Sequence, residues 1–327
     1  MDMRWILFTT QNSIVINKSH NLVPQVTISA LLKSPVAVVC HDAGAANLIF
    51  AWLKQGCESG SWDHHAFHLV LQGPAETLWA HNPVPLPTFQ LHHTLDAALK
   101  DSVCVLSGTG WASSLEHRAR EMAHRMGIPS MAVVDHWVNY PERFERDGNK
   151  VLPTQIWVSD AEAFRIATSL FQGIEVLELP NVYLNQLVAS IQPVPTDGQT
   201  LLYVLEPVRH DWGRGQAGEF QALDFLVQHL SKVVGHESVQ IKLRPHPSEP
   251  MDKYHHWLKA HPSFDISLDS SVDLKEALAQ AKWVVGVETY ALVVANAAGR
   301  LTYSSMPPWA GRCQLPVKGL IHLQDLI

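Results

Sequence analysis

The chain alternates short, continuous runs of apolar and β-branched residues with stretches that have helical spacing. In the first series, the runs that predict strands are 35–40, 66–71, 86–91, 102–107, 130–135, 155–159 and 174–179. The clearest helical stretch is 111–126, which Gly127-Ile128-Pro129 ends. A strand that is apolar along its whole length has no solvent face. The alternation therefore predicts a parallel sheet covered by helices on both faces.

A second series of the same kind follows the segment QPVPTDGQ (192–199), whose composition is typical of a linker. Its predicted strands are 201–205, 239–243, 264–268, 283–286 and 301–304, with helices predicted at 214–234, 250–259, 272–281 and 288–298. A length of 327 residues also suits two domains of about 150 residues each. We therefore predict an α/β protein with two Rossmann-like, doubly wound domains, 1–192 and 199–327, facing each other across a cleft. Residues 1–33 are an atypical extension, either an extra hairpin or a weakly ordered arm.

Composition narrows the class of protein. Charged residues are 17% and hydrophobic residues 46% of the chain, a balance that excludes a disordered or coiled-coil protein. The net charge is −7 and neither half is basic, which argues against a nucleic-acid partner. Four scattered cysteines and the lack of a long apolar run predict a cytoplasmic protein without a membrane span. Peripheral membrane association and the oligomeric state stay open. Four of the tryptophans are expected in the cores, namely Trp52, Trp79, Trp157 and Trp283.

Polar residues collect where the predicted strands end. In doubly wound sheets, ligands bind beyond the carboxyl ends of the strands, and the cleft between two such sheets is the expected site. The strand ends carry His41-Asp42-Ala-Gly44, Ser107-Gly108-Thr109-Gly110, Asp135-His136-Trp137, Glu206-Pro-Val-Arg209, Arg244-Pro-His246-Pro and Gly286-Val-Glu288-Thr289. These six loops are rich in His, Asp, Arg and Gly, which favours a functional site.

One loop of the second half carries side chains that suit a phosphate. Prolines stiffen the loop that presents Arg244 and His246, and both side chains can donate hydrogen bonds to phosphate oxygens. Arg209, near the end of another predicted strand, belongs to the same predicted phosphate-binding set. The alternative is a proline-rich strand exit whose histidine caps a neighbouring helix.

The loop 286–289 carries groups that suit the ribose and a phosphate of a nucleotide. Gly286 permits close approach of the backbone, and the Thr289 hydroxyl can hold an anion together with the helix amides. A carboxylate repels phosphate, so Glu288 is expected to accept hydrogen bonds from ribose hydroxyls. The alternative for Glu288 is a favourable position in the first turn of a helix.

Two pairs in the first half could act as a general base. Asp135 lies beside His136, and His41 lies beside Asp42. An imidazole with a neighbouring carboxylate can act as a general base near neutral pH. The alternative for His136 is a histidine hydrogen-bonded to a backbone carbonyl. Trp137 and Tyr140, which follow, are expected to be exposed.

Small residues at the strand ends of the first half predict an acceptor-side loop. They are Gly44, Gly108, Thr109 and Gly110, which would allow close approach of a ligand or simply close strand-to-helix packing. No metal is expected, because adjacent histidines such as His92-His93 point to different faces and none has zinc-site spacing with Cys or carboxylates.

These motifs resemble the two-Rossmann-domain glycosyltransferases, the GT-B fold, most strongly over 200–327. Arg-Pro-His-Pro (244–247) is similar to the His-Pro motif of bacterial sialyltransferases and of capsule or Kdo transferases, and the resemblance implies that His246 contacts the nucleotide phosphate. Glu288-Thr289 corresponds to the small or hydroxyl position of that family. Glu145-Arg-Asp147-Gly148 looks like a degraded version of the acidic motif that carries its catalytic base. The first half resembles the family in layout only.

The resemblance implies a metal-independent glycosyltransferase that has no cofactor and uses a nucleotide sugar as substrate. It would move a sugar from a nucleotide-activated donor, such as a CMP-linked sugar, to a saccharide acceptor in surface polysaccharide or glycoconjugate synthesis. Two alternatives stay open. One is a nucleotide-sugar epimerase or hydrolase of the same fold, and the other is a non-catalytic nucleotide-sugar-binding or protein-binding module.

Overall fold

The computed structural model describes residues 27–208, 210–250 and 252–327. The predicted extension therefore lies mostly outside the described residues, and its last part forms one helical turn, α1 (Ile28–Leu31). The strands that follow in the first half are β1 (Val36–Cys40), β2 (Phe67–Leu71), β3 (Phe89–Leu91), β4 (Cys104–Ser107), β5 (Ser130–Val133), β6 (Glu145–Arg146), β7 (Asn149–Lys150), β8 (Gln155–Val158) and β9 (Glu175–Glu178). Seven of them form one parallel sheet in the order β3-β2-β1-β4-β5-β8-β9, and β6 and β7 form a separate antiparallel hairpin.

Helices connect the strands of the first sheet: α2 (Ala43–Glu58), α3 (Gly73–His81), α4 (Leu95–Leu99), α5 (Leu115–Met126) and α6 (Ala161–Leu170). Helix α7 (Val182–Ala189) follows the last of these strands. The predicted end of α5 is confirmed, because Gly127 adopts a left-handed conformation with φ of 68°. The predicted start at residue 111 is wrong, since 108–114 form a loop. The carbonyl oxygens of Gly110 and Ser113 accept hydrogen bonds from the Arg146 guanidinium, which holds this segment outside the helix.

The second half repeats the design. Its strands are β10 (Thr200–Val204), β11 (Gln240–Arg244), β12 (Ile266–Leu268), β13 (Ala281–Gly286), β14 (Leu301–Ser304) and β15 (Ile321–His322), all parallel in the order β12-β11-β10-β13-β14-β15. The helices are α8 (Gly218–Gln228), α9 (Leu230–Val234), α10 (His255–Ala260), α11 (Leu274–Gln280) and α12 (Tyr290–Ala297). The single helix predicted over 214–234 is wrong, because the backbone leaves the helical range at His229. The short edge strand β15 was not predicted.

The strand orders confirm the predicted fold class. In each sheet the first strand lies in the middle, between the second strand on one side and a later strand on the other. The chain thus winds outward in both directions, as in Rossmann-like sheets, and the switch points lie between β1 and β4 and between β10 and β13. The segment 192–199 joins α7 to β10 without forming a helix or strand.

The predicted core tryptophans are buried. Trp52 and Trp157 pack edge to face with ring centroids 6.0 Å apart inside the first half, and Trp79 and Trp283 are also buried. Tyr140 is only 1% exposed, so the expectation that it faces solvent is wrong. Its ring stacks on Phe171 beside α6, and this packing removes the side chain from the carboxyl edge of the sheet.

The two halves meet at the carboxyl ends of their strands. Trp137, which follows β5, is half-buried and not exposed as expected, because its ring stacks on Tyr290 at the start of α12 with ring centroids 6.3 Å apart. The Trp137 indole N–H also donates to the Asp160 carboxylate. Helix α7 contacts α12 nearby. None of the described helices is both long and apolar enough to cross a membrane.

We expect Trp157→Ala to destabilise the protein by about 3–5 kcal/mol, because truncating a fully buried indole leaves a cavity against Trp52. Chemical unfolding followed by circular dichroism measures the change. Trp111→Ala is the control, since the Trp111 side chain is exposed, and should shift the free energy of unfolding by less than about 1 kcal/mol. Equal losses in the two variants would contradict the assignment of Trp157 to the core.

Candidate functional site

A buried carboxylate joins two loops at the carboxyl edge of the first sheet. Glu116, on α5, is 1% exposed, and its oxygens accept the backbone N–H of His41 at 2.9 Å and of Gly110 at 2.6 Å. Burial raises the pKa of this carboxyl, and the two N–H donors oppose the rise. Gly110 of the predicted acceptor-side loop therefore binds the protein's own Glu116.

The small residues of the first half make room for carboxylates of the protein. A Cβ at Gly44 would lie 1.7 Å from Oδ2 of Asp135, and one at Gly110 would lie 1.8 Å from Oδ2 of Asp42. A Cβ at Gly108 would lie 2.3 Å from Oε1 of Glu116. Side chains of the same sheet edge therefore occupy the space where a Cβ at these three positions would lie, which favours the packing alternative for Gly44, Gly108 and Gly110.

An arginine fixes the Asp135 carboxylate. Arg143 Nη1 donates to Oδ1 of Asp135 at 2.9 Å and to Oγ1 of Thr109 at 3.2 Å, and the Thr109 hydroxyl donates to the carbonyl of Val133. Only 9% of the Arg143 side chain is exposed. Asp135 thus stands in a charge-paired and rigid position, and Thr109 serves this positioning.

The two histidines of the first half differ in their partners. His41 Nδ1 lies 2.8 Å from Oδ1 of Asp42, and the imidazole packs over Gly73, where a Cβ would lie 2.7 Å from Nε2. His136 is half-buried, and its Nδ1 is buried without a hydrogen-bond partner. The alternative of a His136 ring satisfied by a carbonyl therefore does not hold for Nδ1. Burial lowers the pKa of His136 and favours the neutral ring.

In the second half, the loop after β11 presents His246 on the surface. The backbone N–H of Ser248 can only donate, and it lies 3.2 Å from His246 Nδ1. Nδ1 is therefore the acceptor, and the neutral ring carries its proton on Nε2. The backbone N–H of His246 donates to Glu249, whose carboxylate also accepts from Tyr254. The histidine caps its own loop and no neighbouring helix.

Arg244 is held by a carboxylate that directly follows the neighbouring strand β12. Its Nη1 donates to Oδ2 of Asp269 at 2.5 Å and to the carbonyl of Ser271 at 3.1 Å. The sequence did not identify Asp269 as a partner, and the ion pair uses one of the donors that was predicted for phosphate. Arg209 lies outside the described residues.

A second, half-buried carboxylate follows β10. Oε1 of Glu206 accepts the backbone N–H of Glu288 at 2.5 Å, and burial raises the pKa of Glu206 to about 7, with the charges of Glu288 and Glu249 adding to the rise. Glu288 precedes the helix, so its alternative place in the first helical turn is wrong. Its carboxylate accepts the backbone N–H of Gln314, which uses one oxygen that was predicted for ribose.

Thr289 and Gly286 have clear local roles. The Thr289 hydroxyl accepts the N–H of Ala291 and caps α12. A Cβ at Gly286 would lie 3.1 Å from the carbonyl oxygen of Val204, so glycine lets β13 approach β10 closely. Both residues shape the switch point between these strands.

The segment Glu145-Arg-Asp147-Gly148 forms the first strand and the turn of the hairpin of β6 and β7. Asp147 and Gly148 have φ values of 49° and 75° and form its tight turn. Arg146, on β6, donates a hydrogen bond to the carbonyl of Gly110 in the loop 108–114. Across 27–208, 210–250 and 252–327, no group of three or more His, Cys, Asp or Glu side chains could hold a metal ion.

Comparison with known proteins adds information on the fold. No protein-family model matches the chain, and no curated protein matches its sequence. Solved structures do match: a putative UDP-N-acetylglucosamine 2-epimerase from Listeria monocytogenes is 12% identical, with 83% of this chain and 79% of that chain covered and a TM-score of 0.57. The UDP-GlcNAc 2-epimerase of Neisseria meningitidis, bound to UDP-GlcNAc, is 10% identical, with 83% and 82% covered and a TM-score of 0.56. Anabaena HepE, in complex with UDP and glucose, is 11% identical, with 89% and 87% covered and a TM-score of 0.53.

The chain has the GT-B fold. In this GT-B chain the carboxyl edges of both sheets carry the predicted loops, and Trp137 and Tyr290 bring residues 135–137 close to residues 288–290. The reasoning from sequence missed Glu116, Arg143 and Asp269. Glu206 stands directly after a continuous apolar run, which was a signal for it. Glu116 and Arg143 lie on a helix and in a short helical turn, where no strand-end rule applies.

We expect Glu116→Gln to cost roughly 1–3 kcal/mol of stability, because the amide has one oxygen for two buried N–H donors. Native-state hydrogen exchange should be faster at the amides of His41 and Gly110. Glu121→Gln, on the same helix with one surface hydrogen bond to Asn149, is the control and should leave both amides unchanged. Unaltered exchange in Glu116→Gln would contradict the bridging role.

We expect Glu206 to make stability fall as the pH rises from about 4.5 to 7. Its native pKa of about 7 lies above the unfolded value, so the native state holds the extra proton in this range and the slope is negative. Above pH 7 this contribution is constant. Glu206→Gln mimics the protonated form and should remove a difference on the order of 3 kcal/mol in chemical unfolding at pH 5 against pH 7.5. Glu237→Gln, which replaces an exposed carboxylate, is the control and should keep the pH profile of stability of the original protein. An unchanged pH profile in Glu206→Gln would contradict the prediction, because it would mean that Glu206 is ionised over the whole range.

Proposed function

We propose that the protein binds a nucleotide sugar at the carboxyl edge of its second sheet and transfers the sugar to a saccharide held by its first sheet. The observation that carries this proposal is the GT-B fold with Trp137 stacked on Tyr290 where the two carboxyl edges meet. This layout supports a donor on one side and an acceptor on the other. Polysaccharide or glycoconjugate synthesis in the cytoplasm is the proposed setting.

His246 and Arg244 are proposed to bind the donor phosphates. The Nε2–H of His246 points away from its own loop, because Nδ1 accepts from Ser248. Asp269 uses Nη1 of Arg244, which leaves Nε and Nη2 as donors in a fixed plane. Breaking the bond between sugar and phosphate leaves negative charge on a phosphate oxygen. Fixed N–H donors stabilise that charge, so the proposed transfer is metal-independent.

Thr289, Gly286 and Glu288 are proposed to border the nucleotide. Gly286 lets the ligand approach the backbone at the switch point, and the capped start of α12 offers N–H groups to a phosphate. The second oxygen of Glu288 is proposed to accept from a ribose hydroxyl. Arg209 is proposed for the same side of the nucleotide from its place in the sequence.

His41 is the strongest candidate for the base. An Nδ1–H donated to Asp42 orients the ring and leaves the Nε2 lone pair to take a proton from the acceptor hydroxyl. Asp135 is paired with Arg143, so one of its oxygens already accepts a hydrogen bond from the guanidinium. His136 is neutral through burial and is the second candidate, with Asp135 beside it.

The compared structures also support a second candidate function, because two of them are described as UDP-GlcNAc 2-epimerases. Incubation of a UDP- or CMP-linked sugar without an acceptor separates the two reactions. Stoichiometric conversion to an epimer or a free sugar would favour epimerisation or hydrolysis over transfer. A non-catalytic binding module would bind the nucleotide sugar unchanged after neutralisation of Asp135, His136, His41 and Asp42, and would turn over no substrate.

We expect His246→Ala to weaken nucleotide binding at least about tenfold, because it removes one hydrogen-bond donor to a charged phosphate. Titration calorimetry with UDP, UDP-sugars, CMP and CMP-sugars gives the affinities and the base preference. His256→Ala, on α10, is the matched control and should bind like the original protein. Absence of binding to every nucleotide would overturn the proposed function, and equal affinity in His246→Ala would overturn the role of His246.

A further inference from the structure

One tryptophan stands out from the others at the carboxyl edge of the first sheet. Trp111 lies in the loop between β4 and α5, and 46% of its side chain is exposed, whereas Trp52, Trp62 and Trp157 are fully buried. Exposing an indole forgoes the favourable burial of a large apolar surface. Trp111 directly follows Gly110 of the predicted acceptor-side loop, where an exposed indole is available to a ligand.

The loop that carries Trp111 is held on both sides of the indole. Arg146 Nη2 donates to the carbonyl of Gly110 at 3.1 Å and to the carbonyl of Ser113 at 3.2 Å. The N–H of Gly110 donates to the buried Glu116 carboxylate. The backbone around Trp111 is therefore fixed before any ligand arrives, which reduces the entropy that binding must remove.

Charged groups stand next to the exposed ring. The Arg143 guanidinium lies over one face of the Trp111 ring, with its central carbon 5.5 Å from the ring centroid, and the same guanidinium pairs with Asp135. The Asp42 carboxylate packs against Gly110, the residue before Trp111. An apolar plate is thus bordered by a guanidinium and two carboxylates.

This combination matches the chemistry of a sugar ring. One face of a pyranose presents C–H groups that pack on an aromatic ring, and its rim presents hydroxyls that both donate and accept. Carboxylates accept from those hydroxyls and guanidinium donates to them. The same carboxylates repel phosphate, which disfavours a nucleotide at this position.

We propose that Trp111 is the stacking platform for an uncharged pyranose of the saccharide acceptor, with Asp42, Asp135 and Arg143 facing its hydroxyls. The proposal rests on the proposed function for its place in the reaction. It assigns the acceptor-binding surface to a residue that the strand-end motifs did not include. It also names the acceptor class as a neutral saccharide.

The test uses the full chain with methyl glycosides of glucose, galactose, mannose and N-acetylglucosamine as probes. Saturation-transfer NMR with and without UDP gives their relative affinities. At least one probe should bind, Trp111→Ala should weaken it about tenfold, and Trp111→Phe should retain most of the affinity because it keeps an aromatic face. Phe89→Ala, an exposed aromatic on the edge strand β3, is the control and should bind like the original protein.

The affinity for UDP and CMP, measured on the same variants, separates this inference from the proposed function. Nucleotide binding with no glycoside binding, or with glycoside binding equal in Trp111→Ala, overturns the Trp111 platform and leaves the donor site intact. Loss of all nucleotide binding in the original protein overturns the proposed function. If Trp111→Ala does not fold, oxidation of Trp111 by N-bromosuccinimide in the original protein, followed by mass spectrometry, decides the question. A bound glycoside should slow that oxidation, and an unchanged rate overturns the platform.

Discussion

The carboxylate of Glu116 is the interaction on which the edge of the first sheet depends. Two loops that follow neighbouring parallel strands turn their N–H groups toward one point, and such a point needs hydrogen-bond acceptors. The Glu116 carboxyl on α5 supplies them. Because the carboxylate is buried and paired, the loops keep their positions without a ligand. His41, Asp42 and Trp111 all take their places from this contact.

Much of the fold could be predicted because strands buried on both faces leave an unmistakable apolar pattern. Val36–Cys40 and Trp283–Gly286 read as strands from composition alone, and both are central. The start of α5 and the break at His229 could not be predicted, since they depend on contacts such as the one from Arg146, which is distant in the chain. The two-residue strand β15 exists only through its pairing with β14.

The place of the candidate site in the fold could be predicted from the sequence, but the hydrogen-bond and ion-pair partners of its residues could not. The strand-end rule identified the loops of His41, Asp135, His246 and Thr289, because parallel strands end at one edge of a sheet. It could not reveal that Asp135 pairs with Arg143 or that Arg244 pairs with Asp269, since such pairs depend on three-dimensional packing. Glycines at 44 and 110 were interpreted as space for a ligand, whereas they accommodate carboxylates of the chain itself.

The central position of the earliest strands has a consequence for biosynthesis. β1 pairs with β4, where Val36 lies opposite Cys104, and β10 pairs with β13, where Leu201 lies opposite Trp283. During translation each of these apolar strands leaves the ribosome long before its second neighbour exists. Non-local pairing of this kind folds slowly and leaves strand edges open to association. One edge of β1 stays unpaired until β4 has emerged, and one edge of β10 until β13 has emerged, so each half can close its sheet only after most of its own sequence is available.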